Sequence, residues 1–311
     1  MSRRVVLCAV TVFLGLAPIV AHQAQQPPTQ AGRQGGAGGR QGGPPSMGGG
    51  QCSANPLNCP DAPNPLPAAN TVWLEEMTWM DVRDAMKAGK KTIIISTGGI
   101  EPNGPWLALG KHNYVLRANC EATARLLGDA ICAPIVPFVP EGRIDPPSGH
   151  MTSPGTISVT NETFIALLSD IVLSMKVHGF ENIVLIGDSG GNVRPMQTVA
   201  DTFTKQWSGA PRVIHVGEHY DYNTVTAAME AKGLIPTGRK SDGLHDDPTI
   251  TMNMMVTDPD AVRWEARVKA GKATSDAVSI ADLNKALAIG REIVAFRAQV
   301  TAAAIRKATG R

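Results

Sequence analysis

The 311-residue chain predicts an α/β domain, a three-layer α/β/α sandwich around a mostly parallel sheet. Three observations lead there. Short apolar runs alternate with stretches of helical period, the pattern of strands joined by crossover helices. About 240 residues remain once the low-complexity N-terminus is set aside, enough for one domain with a full core. The run Ile183-Val184-Leu185-Ile186 also breaks into Gly187-Asp188-Ser189-Gly190-Gly191-Asn192. Such a break delivers small and polar side chains to the carboxyl edge of a parallel sheet, where open α/β folds place their sites.

The first 21 residues read as a secretory signal peptide. Ser2-Arg3-Arg4 precedes an apolar run over 5–20, with Ala21 as the cleavage point. That run is short for a bilayer span of about 20 residues, and no other stretch is long enough. Residues 22–70, rich in Gln, Gly and Pro, lack the apolar surface to offset ordering entropy and read as a disordered tether. The domain is assigned to 71–311. Export permits disulfides. Cys52 and Cys59 form the favoured bridge, while Cys120 and Cys132 are either buried thiols or a second bridge. A net charge of +2 with no basic cluster interleaved with aromatics excludes a nucleic-acid binder.

Within the domain, Thr78 caps a helix that Gly89 ends. A buried strand follows over 91–96, then a helix over 113–127 and a strand over 135–139. The helix over 161–178 is the clearest, with Phe164, Leu167, Leu168, Ile171, Val172 and Met175 at helical spacing and Gly179 as its stop. After the strand at 182–186 come a helix over 195–207 and a strand over 212–216. A final helix, led in by Ser279-Ile280-Ala281-Asp282, runs to about Lys307.

Four polar loops follow this scaffold: Glu101, Asn103 and His112 after the first strand; His150 in Ser148-Gly149-His150; the Asp188-Ser189 turn; and His245-Asp246-Asp247. One loop histidine is commonly a surface residue and Asp before Pro a turn former. Four such loops in one domain point to a site.

The tract Gly98 to His112 resembles the first motif of the creatininase (creatinine amidohydrolase) family, keeping Gly98, Glu101, Gly104, Pro105, Leu107, Leu109 and Gly110. His150-Met151-Thr152-Ser153-Pro154-Gly155-Thr156 echoes its second. The stretch from His178 to Asn192 parallels its helix, strand and glycine turn. The resemblance covers about residues 73–192 and implies an α/β/α fold, homo-oligomers, often hexamers, and amide hydrolysis by water on two zinc or manganese ions. The family's ligand positions are largely altered. Glu101 is kept, but Asn103, His112 and Ser189 stand where the family has histidine, aspartate and histidine, and Ile250 stands where it has a carboxylate. Without the bridging carboxylate, one divalent ion (zinc or manganese) per chain is expected rather than two. Its expected ligands are Glu101, His112 and Asp188, with His245 or Asp246 as a further one. His150 then moves the proton to the leaving nitrogen. Asn103, Ser189, Trp106, Gly190, Gly191 and Asn192 contact a small-molecule substrate.

Two serine readings compete. Gly-Asp-Ser-Gly-Gly is also the trypsin-like nucleophile tract, but that fold is all-β. Gly187-x-Ser189-x-Gly191 fits a nucleophile elbow, with Asp221 or Asp242 as acid and His245 as base. Against it, Asn192-Val193-Arg194-Pro195 is expected to delay helix entry. The further alternative is a non-catalytic binding protein that keeps the pocket without metal.

Overall fold

The computed structural model describes residues 52–311, so the signal-peptide assignment and most of the tether lie outside the described residues. Helix α1 (Trp79–Lys87) begins with a capping box: Thr78 Oγ1 accepts from Asp81 N at 3.2 Å, and Asp81 returns a carboxylate to Thr78 N at 2.9 Å. β1 (Thr92–Thr97) is buried throughout. Helix α2 (Lys111–Leu127) follows, ended by left-handed Gly128. The next strand differs from the expected 135–139. β2 is Ala130–Cys132, and Val136 contributes a single bridge to Thr97. Pro134, Pro137 and Pro140 punctuate the apolar run, and residues without an N–H cannot sustain a ladder. Then come α3 (Asn161–Val177), β3 (Asn182–Gly187), α4 (Val193–Trp207) and β4 (Arg212–His215), close to expectation.

The sheet has the order β2-β1-β3-β4 with every pair parallel. Alternation along its strands feeds two cores. Ile93 and Ile95 of β1 and Ile183 and Leu185 of β3 pack with α3 and α4, while Ile94, Val184 and Ile186 pack with α2 and Ile305. Ile305 belongs to the long last helix α8 (Leu283–Thr309), whose N-cap Asp282 accepts from Lys285 N. This is the three-layer α/β/α arrangement. A third cluster joins α8 and α2 to α5 (Tyr222–Ala231) and α6 (Pro248–Thr257), and the short α7 (Trp264–Lys269) flanks it. β5 (Thr274–Ser275) and β6 (Val278–Ser279) form a small hairpin.

Both cysteine pairs are bridged. Cys52–Cys59 and Cys120–Cys132 have Cα atoms 4.4 and 6.2 Å apart, which resolves the second pair as a disulfide. The expected tether ends earlier than residue 70. Arg83 of α1 donates through Nη1 to Pro60 O (3.0 Å) and Ala62 O (2.7 Å), and Asn64 Nδ2 donates to Asp81 (3.0 Å). No helix among the described residues is long and apolar enough to cross a membrane.

Candidate active site

Register sets Thr97 beside Gly187, so the loops leaving β1 and β3 meet at one sheet edge. Asn192 ties them together: its Nδ2 donates to Thr97 O (3.0 Å), Thr97 Oγ1 (2.9 Å) and Gly98 O (2.9 Å). Two glycines then admit a third loop. A Cβ on Gly191 would stand 2.1 Å from Pro140 O, and one on Gly99 would stand 2.1 Å from Glu141 Oε1. Only glycine at 191 permits the backbone approach to Pro140, and Gly99 leaves the room that the Glu141 carboxylate occupies between the strand ends.

A cavity of about 600 Å³ opens there, lined by Glu101, His112, His150, Asp188, Ser189, Gly190, Gly191 and His245. Three residues expected to touch substrate lie outside this lining. Buried Asn103 turns its amide back to Glu101 O at 2.9 Å, and Asn192 is spent on Thr97 and Gly98. Trp106 lines a different cavity and carries the Arg267 guanidinium 5.0 Å above its ring. Asp246 also faces elsewhere, towards Asp242 and Asp276. Asp247 lines the cavity, but its carboxylate caps α6 through Thr249 N at 2.8 Å.

The floor is a chain of buried charges. Arg297 of α8 donates to Asp188 Oδ1 at 2.7 Å, where Tyr222 Oη also donates at 2.6 Å. The other Asp188 oxygen meets His112 Nδ1 at 2.8 Å. Asp188 is thereby fully engaged, which argues against its expected place as a metal ligand. Burial opposes its ionisation, but Arg297 and His112 outweigh that and hold the carboxyl well below the usual range. His112 Nε2 lies 3.1 Å from Glu101 Oε1 without hydrogen-bond alignment and has no other partner. Lys111, two per cent exposed, donates to Glu101 Oε1 at 2.8 Å and to His245 O at 3.3 Å. His150 Nδ1 stands 2.5 Å from Glu101 Oε2 and 3.6 Å from Glu141 Oε2, also unaligned.

Glu141, Lys111, Arg297 and Tyr222 stand at the site and were not among the positions the sequence singled out. Glu141 carried a signal, as the carboxylate that follows the apolar 135–139 run after Pro140 and precedes His150. Ser189 Oγ donates to Glu141 Oε2 at 3.2 Å, and no histidine nitrogen pairs with it among the described residues. The turn enters its helix at once, through a 3-10 turn at Gly190–Asn192, so delayed entry is not the objection to an elbow. The objections are the missing base and the relaxed, extended Ser189 backbone (φ −111°, ψ 143°).

A family model described as creatinine amidohydrolase matches residues 75–307. Solved structures are similar. A creatinine amidohydrolase (creatininase) shares 20% identity over 77% of this chain and 98% of its own, with a TM-score of 0.58. A mutant creatininase complexed with creatine gives 20%, 76%, 98% and 0.58. A putative creatinine amidohydrolase from Bacteroides fragilis NCTC 9343 gives 17%, 76%, 98% and 0.55. No curated protein sequence matches the chain. The structural likeness establishes the fold, and the family model covers most of the chain. The chain belongs to the creatinine amidohydrolase (creatininase) family.

Proposed function

We propose that the protein is a metal-dependent hydrolase that opens a C–N amide bond, cyclic amides included, in a small molecule. Glu101, His112 and Glu141 would hold one divalent ion of the zinc or manganese class. The pose of His112 carries this reading. Asp188 engages its Nδ1 while Nε2 faces Glu101 without a hydrogen-bond partner, and Glu141 Oε1 is likewise unpartnered. Ligand atoms of the three residues lie within 4.8 Å of one another. Three protein ligands with a further position open is the pattern of catalytic zinc sites. A carboxylate on the far imidazole nitrogen is the support such ligands receive. Relatives described as "Zn-Zn type" and "Creatininase Mn" favour the same metal class, and the creatine complex favours a small nitrogen-rich substrate. A second ion fits poorly, because the Lys111 ammonium already supplies positive charge to Glu101 and His245 O.

A bound ion supplies an acidified water and polarises the scissile carbonyl. The chain does the rest. His150, at the cavity mouth beside both glutamates, moves the proton to the leaving nitrogen. Ser189 offers a hydroxyl to substrate while steadying Glu141, and Gly190 and Gly191 leave the backbone open to approach. His245 forms the rim, its ring 5.4 Å from that of His150. Removal of residues 1–21 on export and assembly into homo-oligomers belong to the same reading. Two disulfides support export, and N-terminal sequencing and light scattering test the two points.

The decisive experiment is metal analysis with amidase assays. About one ion per chain is expected, and chelation should abolish activity. Glu101→Gln and His112→Ala should remove metal and turnover together, by more than the 10–100-fold of a supporting residue. Ser189→Ala should retain turnover, whereas its complete loss with metal bound would favour a serine nucleophile. The second reading is a non-catalytic binding protein, favoured by the Lys111–Glu101 pair as a built-in replacement for metal charge. Metal-free protein that binds a small ligand and hydrolyses no amide would establish that reading instead.

A further inference from the structure

Outside the cavity, Asp242, Asp246 and Asp276 bring carboxylate oxygens within 4.8 Å of one another. Clustered aspartates alone mean little, but Asp246 is unusual. It is one per cent exposed, and neither carboxylate oxygen has a hydrogen-bond donor. A buried carboxylate without donors or a counter-ion is costly, so Asp246 requires a cation or a proton.

The nearest cation does not answer the need. Arg267 spends Nε on Lys272 O (3.2 Å) and Nη2 on Thr274 O, its Nη1 is buried without a partner, and it forms no ion pair with the three aspartates among the described residues. Lys240 and Lys272 rim the neighbouring cavity from exposed positions, again without pairing to them. Arg239, on the same cavity, is spent on Glu230 and on Pro236 O, so none of these cations pairs with the three carboxylates among the described residues. All-oxygen, carboxylate-rich donors suit a hard cation, unlike the mixed donors around His112.

We propose that Asp242, Asp246 and Asp276 form a calcium-class site that fastens the loop bearing His245 to the β5–β6 hairpin. The backbone already brings these segments together. Asp276 Oδ1 accepts from Asp242 N at 2.9 Å, and Ser275 Oγ donates to Asp246 O. An ion there would brace one wall of the amide-hydrolase cavity without touching substrate. The site is independent of the metal assignment at Glu101.

The test uses full-length protein presaturated with zinc, titrated with Tb³⁺ and then Ca²⁺. Trp106 lines the same cavity as Asp242 and Asp276, so excitation of tryptophan should sensitise Tb³⁺ emission. Ca²⁺ should quench that emission by displacement and raise the thermal midpoint. Asp246→Asn and, should that variant fold poorly, the more peripheral Asp276→Asn should weaken Ca²⁺ binding by about tenfold or more, as affinity follows ligand charge. Glu101→Gln should leave the signal intact. Absence of Ca²⁺-displaceable emission would mean that Asp246 shares a proton with a neighbour instead, and the proposal falls. Equal affinity in both Asn variants, or loss of the signal in Glu101→Gln, overturns it as well.

Discussion

Burial, and then the Glu101 charge beside it, push the Glu141 carboxyl up to about 7. His112 is displaced in the same direction. Burial alone would lower its imidazole, but the Asp188 and Glu101 contacts reverse that, and it is raised above its ordinary 6.5. Both displacements favour the protonated form of each group before metal arrives. A ligating imidazole must be neutral and a ligating carboxylate ionised, so metal uptake should expel protons. Calorimetry at pH 7 in buffers of different ionisation enthalpy should detect about one to two protons per ion, fewer in Glu141→Gln. Release of none would mean that Glu141 gives up no proton to the ion and is not among its ligands. At this scale, sequence and structure part company for a clear reason. Glu101, His112 and Ser189 were legible because they hold fixed places in a motif. The engagement of Asp188 was not visible because its partner Arg297 lies 109 positions away, and no local spacing reveals such a pair. Lys111 was overlooked because a lysine at a helix start reads as a solvated charge.

Arg297 introduces the scale of whole elements. Along α8, Ile289, Ile293, Arg297, Thr301 and Ile305 repeat every fourth residue, so the guanidinium lies on the buried stripe. A charge in phase with an apolar stripe needs a buried partner, and here Asp188 provides it at 2.7 Å. Arg297→Met should cost about 3–5 kcal/mol, since it strands a buried carboxylate. It should also loosen metal about 10–100-fold through His112. Denaturant melts and metal titrations measure the two effects, and unchanged metal affinity would mean that Asp188 does not orient His112. Strands β1 and β3 and helix α3 were readable because each shows a clean apolar pattern. β2 was misplaced onto 135–139, where residues are more apolar but prolines limit pairing to the single Val136–Thr97 bridge. α6 escaped notice for the opposite reason. Packed between α2 and α8, it buries residues all round, including Met252, Met254 and Met255, and an element apolar on every side shows no period.

Across the whole molecule, stability should depend on pH through two histidines acting in opposite senses. Burial, and then Arg297, hold His219 down at about 3, and its Nδ1 pairs with Thr301 Oγ1 at 2.9 Å. The unfolded chain takes up a proton near 6.5, whereas the folded one resists until about 3. Stability is therefore lost as pH falls through that window, approaching about 1.4 kcal/mol per pH unit. In metal-free protein, raised His112 works oppositely, its contribution fading as pH climbs above 6.5. His219→Asn should flatten the acid limb of a thermal-midpoint profile, and an unchanged limb would mean that other groups control it. The N-terminal boundary offers the last test, because composition and contacts disagree about where the domain begins. Gln and Gly give way after residue 51 to a stretch rich in Pro, Asn and Ala that continues towards residue 70, yet Arg83, eight per cent exposed, uses Pro60 O and Ala62 O as the acceptors of its Nη1. Deleting residues 26–51 should leave the midpoint unchanged. Extending the deletion to 65 removes both Nη1 acceptors and the Asn64–Asp81 bond, leaving the Arg83 guanidinium with its Asp84 pair alone, at a cost of about 1–3 kcal/mol for the lost hydrogen bonds and packing. For a domain of this size each kcal/mol shifts the midpoint by roughly 2–4 °C, so differential scanning calorimetry resolves the two deletions. A drop already present in the shorter deletion would place part of the Gly/Pro segment on the domain. No drop in the longer one would mean that Arg83 finds water as good a partner as the chain.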